Sequence, residues 1–461
     1  MNARVAIVGS GPAGMAAAIA AHHAGTAVTI IDDAPREGGQ IYRQGAAELQ
    51  LPPVGLPTEL ARKKKLLKAF EQIKDQIDLR FETTAHSLYE GPEVQISTFD
   101  QSERLNVDAV VVATGVSEYT VPFPGWTLPG VMYAGAAQSL LKAQGVRAGD
   151  KIAISGAGAL PIAVAAQLAL AGGKIEVLSL VNSPMKALLD PAAVWAGRKI
   201  MREGLQYLWQ LASRGVFYKS GHAIIRAHGD ERLEGVTLAK LNRDGSPDLT
   251  TCQDREVDLL LLNHGFTANT ELVRMAGAAH RYDAIRGGWL PVADRGGQTS
   301  VPGVFVAGDG AGLRGALNAE AEGYIVGAAA AAHAKGQSAP KNQPQERIRA
   351  QQERFQSGLR RTLELPAGIT SWMDNETTIC RCEGVTAGRL KQATSAGHLS
   401  LDAIKRNTRC GMGWCGGRTC LKNAALLAET AGATTPPDQM RARPVARPVN
   451  LGALANEIKP S

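Results

Sequence analysis

"RVAIVGSGPAGMAAAIAAHHAGTAVTIIDD", residues 4–33, reads as strand, glycine turn, alanine-rich helix and second strand. Gly9, Gly11 and Gly14 form G-x-G-x-x-G directly after the apolar run VAIV, with Pro12 and Ala13 at the helix start. The first glycine permits a tight turn, the second lets a pyrophosphate approach the backbone, and the third lets helix and strand pack closely. The helix N-terminus then faces the phosphates with unpaired N–H groups. The second strand ends at Asp32, where a carboxylate can accept hydrogen bonds from a ribose diol. Glycines alone are weak evidence. The strand before them, the helix after and the acid at this distance together predict a dinucleotide-binding unit.

Three further stretches choose the nucleotide. "APREGGQ", residues 34–40, resembles the R-x-G-G segment that flavoproteins place near the FAD pyrophosphate, which singles out Arg36, Gly39 and Gln40. "VDAVVVATG" ends a strand in Ala113, Thr114 and Gly115, the small-residue turn where such proteins return to the cofactor. "TSVPGVFVAGDGAG", residues 299–312, delivers Gly308 and Asp309, the pair that bonds the FAD ribitol in flavoproteins with two dinucleotide domains. Elements so far apart in sequence would meet at one FAD.

Between them lies a second unit. "DKIAISGAGALPIAVAAQLALAGGKIEVLSL" repeats strand, turn, helix, strand, with Gly156 and Gly158 in the turn. Pro161 stands where the third glycine would be, a position that tolerates proline because its missing N–H would be unpaired there anyway. The second strand ends in VLSL, with Ser179 where a ribose-binding acid or a 2′-phosphate-binding arginine would stand. The expectation is a nicotinamide-type domain that keeps its fold and has an empty or repurposed cleft. His264, in "VDLLLLNHGFTANTEL", reads as a turn residue.

The totals agree with a multidomain globular protein: 461 residues, 44% hydrophobic and 20% charged. A formal charge of +7 is modest at this length and predicts no nucleic-acid partner. The longest apolar runs stop short of the ~20 residues that cross a bilayer, so no transmembrane segment is expected. The first residues show no secretory h-region, which predicts a cytoplasmic protein. Clustered cysteines in that reducing compartment read as metal or redox groups rather than disulfides.

Five of the six cysteines fall in "ICRCEGV", residues 379–385, and "TRCGMGWCGGRTC", residues 408–420. Cys380 and Cys382 form C-x-C, and Cys415 and Cys420 form C-x₄-C. The segment between reads as helix, turn, helix, with Thr386 as N-cap and Gly397 as the break, which would bring the two pairs to one end of a small helical module. Four thiolates suit zinc or a [2Fe–2S] cluster. C-x-C is uncommon in structural zinc sites, so the spacing favours iron–sulfur. Cys410 is the spare: a buried thiol beside the cluster, or an alternative ligand. Cys252 reads as structural.

Residues 376–430 resemble the [2Fe–2S] domain of bacterioferritin-associated ferredoxin, in the variant carried by sarcosine-oxidase-like amine dehydrogenases. The whole order is similar to the alpha (A) subunits of opine oxidases, of dye-linked proline and D-hydroxyproline dehydrogenases, and of hydrogen cyanide synthase. The implied fold is α/β: a discontinuous Rossmann-like FAD domain (1–117 and 291–336), an NAD(P)-like domain (118–290), a polar linker (337–375), an all-helical [2Fe–2S] domain (376–430) and an extended tail (431–461). The tail "TTPPDQMRARPVARPVNLGALANEIKPS" either lies across another surface or is unstructured.

The implied activity is electron transfer in a heteromeric enzyme that oxidises a C–N bond. A partner beta flavoprotein subunit binds the amine or amino acid, a small ferredoxin-like subunit can join it, and a quinone or other acceptor takes the electrons. Contact with the inner membrane would be peripheral and through the complex. The alternatives are a component of a cyanide-producing enzyme that acts on glycine, and a self-sufficient NAD(P)H-dependent flavin reductase. No catalytic acid or base can be named, and no redox-active C-x-x-C stands near the flavin elements.

Overall fold

The computed structural model describes residues 3–46, 48–434 and 442–458. The first unit opens with β1 (Arg4–Val8), α1 (Pro12–His23) and β2 (Ala27–Ile31). α2 (Pro57–Glu71) and β3 (Asp78–Arg80) follow. A meander of β4 (Thr84–Tyr89), β5 (Glu93–Ser97) and β6 (Ser102–Asn106) then leads to β7 (Ala109–Val112). β8 (Val116–Tyr119) crosses to the second unit: β9 (Val131–Tyr133), α3 (Ala134–Gln144), β10 (Lys151–Gly156), α4 (Leu160–Leu170), β11 (Lys174–Leu180), α5 (Pro191–Ala196), α6 (Arg198–Ala212), β12 (Lys219–Ser220), a meander of β13 (His222–His228), β14 (Gly235–Leu241) and β15 (Pro247–Glu256), and β16 (Leu259–Asn263).

β17 (Gly265–Ala268) returns antiparallel to β8, so the two crossings form one ribbon. After α7 (Glu271–Met275), β18 (His280–Asp283) and β19 (Gly288–Pro291), β20 (Val304–Val306) joins the first sheet, in the order β20-β7-β1-β2-β3. The second sheet runs β12-β11-β10-β16-β9. Both are parallel, and their central strands β1, β7, β10 and β16 are near-continuously apolar, as sheets covered on both faces require. The chain is back in the first unit before residue 291. Leu272, Val273, Ala276 and Ala278 share a core with Val8, Ile31 and Val304, so the second unit ends nearer β16 than the sequence pattern suggested.

α8 (Ala316–Ala334) lies against α1 at backbone contact. Methyl groups at Gly323 and Gly327 would overlap Ala13 O and Ala17 O. Two glycines four residues apart on one helix thus meet two alanines four apart on the other, and the pair buries apolar surface with no side chain between. The polar linker carries a helix, exposed along one side and packed along the other. It forms α9 (Gln343–Leu363), capped by Asn342 and buried at Gln352, Phe355, Gly358 and Thr362. Phe355 sits on Gly197, where a methyl group would overlap its ring, and Arg354 pairs with Asp190 at 2.6 Å.

The C-terminal module has β21 (Thr378–Cys380), β22 (Val385–Thr386), α10 (Ala387–Ser395), α11 (Leu401–Thr408) and α12 (Leu421–Thr430). Thr386 caps α10, and Gly397 (φ +88°) follows its end, as the sequence predicts. The module shares one core with the second unit: Tyr119, Phe123, Trp126 and Leu262 pack with Ile379, Leu390, Ile404 and Leu427. Trp126 Nε1 donates to Thr378 O at 2.7 Å, and Tyr119 Oη to Asn423 Oδ1 at 2.7 Å. Part of the tail, residues 435–441, lies outside the described residues. Its later part reaches the first unit: Ala446 N donates to His86 O at 2.7 Å, α13 (Leu451–Ala455) follows, and β23 (Glu457–Ile458) runs parallel to β6. Among the described residues no helix is long and apolar enough to cross a membrane.

Candidate cofactor sites

Three distant stretches meet at the first glycine turn. Gly9 has φ +104°, and a methyl group there would lie 2.5 Å from Ala113 O. A methyl group at Gly39 would stand 2.8 Å from Gly11 Cα, and one at Gly308 2.8 Å from Ala13 Cβ. One at Gly310 would stand 3.4 Å from Gly115 N. Side chains would fill this cradle, and their omission leaves backbone N–H groups at the start of α1 accessible to phosphate. Asp32 is held at the end of β2 by Ser10, whose N and Oγ donate to Oδ2 at 2.5 and 2.6 Å, and by Ala34 N at 2.8 Å. Residues and spacing fit a dinucleotide.

Asp309 is fixed by the backbone. Arg314 N and Gly315 N donate to its Oδ1 at 2.8 and 2.9 Å. Burial pushes this carboxyl up, against the opposing pull of those N–H groups and of the Arg314 guanidinium. Arg314 also pairs with the buried Glu322 of α8, and Glu322 Oε2 accepts from Gly308 N at 3.1 Å. That pair locks the loop carrying Gly308 and Asp309 onto the helix behind it. Asn318, one turn into α8, is 1% exposed with both amide atoms unpartnered.

Sequence reading missed Asn269 altogether. Its side chain donates to Thr114 O at 3.0 Å and accepts from Ser117 Oγ at 2.7 Å, while its carbonyl accepts from Thr114 Oγ1 at 2.8 Å. Asn269 therefore stitches the Ala113–Gly115 turn to the returning ribbon. Nothing in its immediate neighbours signals this, because the contact spans 155 residues. Arg36 and Gln40 are not drawn into the cradle. Arg36 donates to Gly45 O at 2.9 Å, and Gln40 is exposed. Arg36 instead lines a cavity of about 490 Å³ between the two units, with Tyr42, Arg43, Lys63, Lys142 and Ala316. Burial lowers Lys142 there to about 8.

The second turn is built differently. Gly158 has φ +77°, and a methyl group there would lie 2.6 Å from Leu363 Cδ2, at the end of α9. Asn182, just past β11, donates its amide to Glu364 O and accepts from Lys186 Nζ. The Ser179 hydroxyl is fully buried and donates to Ser155 Oγ at 2.9 Å. The end of the linker helix thus lies over the turn where a nucleotide's phosphate would sit and bonds the loop just past β11. His264 is fully buried, held by Thr120 Oγ1 at 2.9 Å, and burial lowers it to about 3. It is a neutral core residue.

At the cysteine module, the Sγ atoms of Cys380, Cys410 and Cys420 all lie within 4.8 Å of one another, and all three residues are buried. Cys382 is exposed and Cys415 half-buried. Gly413 presses on Cys382, with Sγ 3.1 Å from where its methyl would stand, so the glycine loop wraps the C-x-C strand. Cys410, read from the sequence as a buried thiol beside the cluster or an alternative ligand, lies in this inner group. The local cause is Arg409, which ends α11 in the left-handed conformation (φ +68°) and turns Cys410 inward, where its N–H bonds Thr408 Oγ1. The thiols hydrogen-bond one another, which lowers Cys380 to about 2 and pushes Cys410 up to about 12. A buried set of soft sulfur donors fits a thiolate-bound centre.

This geometry defines a class. The family model for pyridine nucleotide-disulphide oxidoreductases matches residues 3–336, and that for BFD-like [2Fe-2S] binding domains matches residues 378–429. The chain belongs to the first family and carries the second as its C-terminal domain, so its cofactors are FAD and a [2Fe–2S] cluster. Within that class it is 32% identical to hydrogen cyanide synthase subunit HcnB of Pseudomonas aeruginosa, over 91% of each chain. It is equally similar, at 32%, to the A subunit of opine oxidase from Rhizobium meliloti, over 98% of this chain and 87% of the relative. Crystalline L-proline dehydrogenase from P. horikoshii shares the fold over 98% of this chain and 80% of its own, with a TM-score of 0.70 at 21% identity.

Proposed function

We propose that this chain is the electron-transfer subunit of a heteromeric dehydrogenase or oxidase that oxidises the C–N bond of an amino acid or secondary amine of the opine, proline or hydroxyproline class. The substrate is oxidised on a partner flavoprotein subunit, a small ferredoxin-like subunit can join it, and a quinone or other acceptor takes the electrons. The observation that carries this reading is the continuous core joining the cysteine module to the second unit, with Arg418 of the module paired at 3.0 Å to Glu271 of α7, a helix packed on the first sheet. A bound flavin and a two-iron cluster together supply the conversion between paired and single electrons.

The residues of this chain hold and orient. Gly9, Gly11, Pro12, Ala13 and Gly14 receive the FAD pyrophosphate, with Gly39 across from them. Asp32 takes the ribose, and Asp309 the ribitol. Ala113, Thr114 and Gly115, pinned by Asn269, close the other side. Cys380, Cys382, Cys415 and Cys420 are the four cluster thiolates, and Cys410 packs inside them. The likeness to HcnB favours one second reading, a component of an enzyme that takes glycine and yields cyanide.

Purified Asp309→Ala should lose most of its flavin. Cys415→Ser should lose iron and the dithionite-induced paramagnetic signal, whereas Cys410→Ser should keep both. Iron retained in Cys415→Ser and lost in Cys410→Ser would exchange the two roles. Assay of the copurified complex against opines, proline isomers, sarcosine and glycine then separates the two substrate readings.

A further inference from the structure

The outer face of α5 and α6 is apolar where a surface helix is ordinarily polar. Inward, the pair is anchored. Ala193 and Gly197 pack on α9, and Tyr207 bonds Glu59 of α2 at 2.6 Å and Gln167 of α4 at 3.1 Å. Outward, Trp195, Arg198, Arg202, Leu205 and Trp209 recur at alternating spacings of three and four residues, and all five are exposed. That spacing places them on one stripe. Only Gly197 separates the two helices, and the Arg198 guanidinium lies over the Trp195 ring at 4.8 Å, so the stripe carries across the junction. Trp195, Leu205 and Trp209 are 71%, 61% and 72% exposed. Leu189 before α5 and Phe217 beyond α6 extend the exposed apolar surface at both ends.

The exposed charges of this segment have one sign. Lys186, Arg198, Lys199, Arg202, Arg214 and Lys219 all face solvent. The segment's two acids are turned inward: Asp190 pairs with Arg354 at 2.6 Å, and the buried Glu203 pairs with Arg62 at 2.5 Å.

We infer that this stripe is a membrane-surface anchor, by which the chain itself lies on a bilayer of anionic phospholipid. Apolar side chains on one line, with cations along and beside them, are the composition of a helix that lies in the plane of the interface. Trp195 and Trp209 suit that boundary because an indole is apolar in its body and carries one polar N–H. The charge pattern selects the occupant. A protein partner would need carboxylates in register with six cations, whereas a layer of anionic headgroups is negative wherever a cation falls. From Trp195 to Trp209 the stripe runs about 20 Å at the helical rise, a line that a plane covers and a single socket does not. The contact involves neither cofactor, so it stands apart from the electron-transfer reading.

The experiment uses the full chain purified from its native host with its cofactors and any bound subunits. It is sedimented with vesicles of phosphatidylcholine alone, or of equal parts phosphatidylcholine and phosphatidylglycerol. Wild type should sediment with the anionic vesicles, less so as salt rises, and stay in solution with the neutral ones. Trp195→Ser combined with Trp209→Ser should lower the partition coefficient roughly tenfold or more. Arg198→Glu combined with Arg202→Glu should remove the preference for phosphatidylglycerol. Both variants should keep wild-type FAD content and unfolding temperature, because the changed side chains are exposed. Lipids brominated on the acyl chain should quench tryptophan emission in wild type, and that quenching should disappear in the tryptophan double variant. Wild type that stays in solution with the anionic vesicles would overturn the anchor. So would a tryptophan double variant that binds them as tightly as wild type. Variants that shed a copurified subunit while vesicle binding holds would make the stripe a protein interface and overturn it too. FAD content and the dithionite-induced cluster signal are read separately, and their absence bears on the electron-transfer reading alone.

Discussion

At Gly9 the first glycine turn opens onto a cradle built from three separated stretches, whereas at Gly158 the second turn faces Leu363 of the chain's own linker helix. The two units share strand, turn, helix and parallel sheet. They differ in what the rest of the molecule lays over the turn. In the first unit Gly39, Gly115 and Gly308 arrive without side chains. In the second, Leu363 and Glu364 arrive with a side chain and a carbonyl that bonds Asn182. The packing that makes a dinucleotide fold is thus separable from the access that makes a dinucleotide site.

The largest effect separating the two turns should come from Gly9→Ala. The new methyl would meet Ala113 O, a backbone atom that cannot swing away, at a φ that side chains rarely adopt. Purified protein should be almost free of flavin, judged by the ratio of absorbance at 450 and 280 nm. A cost on the order of 3 kcal/mol should also appear in thermal unfolding. Full flavin in this variant would break the contrast, because it would show that close backbone approach is not what defines the first site.

Phe355→Ala comes next, because its effect falls on stability and leaves the flavin in place. Phe355 is 2% exposed and sits on Gly197, and this contact clamps α9 over the second turn. Its loss should cost about 3–5 kcal/mol if the site does not collapse. Flavin content should stay at the wild-type level, and protease cleavage within residues 337–375 should accelerate. Flavin lost in parallel with stability would mean that the linker supports the first cradle as much as it covers the second.

The first unit was legible because its signals are local: a strand, three glycines and Asp32 lie within 29 residues, and each has one physical use. The cysteine module was legible in kind for the same reason. What the sequence concealed were contacts made across long separations or set by a single backbone torsion. Asn269 reads as an ordinary turn residue until β8 and β17 pair and bring it to Thr114. Cys410 reads as a thiol beside the cluster, but nothing in "NTRCG" announces the positive φ at Arg409 that turns it inward. The linker's polar, arginine-rich sequence reads as solvated. Yet Phe355 and Gly358 lie three residues apart on one helical face, enough to seat α9 on Gly197 and Ala193. Only Pro161 and Ser179 hinted locally that the second cleft had changed use, and neither said what fills it.

The smallest effect should be Gly158→Ala, and it tests the comparison most finely. At φ +77° an alanine costs roughly 1–2 kcal/mol from the left-handed backbone alone. The atom its methyl would meet, Leu363 Cδ2, is the tip of a flexible side chain that can rotate aside. Unlike Ala113 O, then, it adds little to that cost. The variant should fold, keep its FAD and unfold only a few degrees below wild type. Since the second turn already lies under the linker, nothing is left for the substitution to abolish: anaerobic NADH or NADPH should leave the flavin oxidised in wild type and variant alike. Bleaching by NADPH in wild type that disappears in Gly158→Ala would reverse the assignment of the second cleft. The end of α9 would then have to be a cover that nicotinamide displaces rather than a permanent occupant.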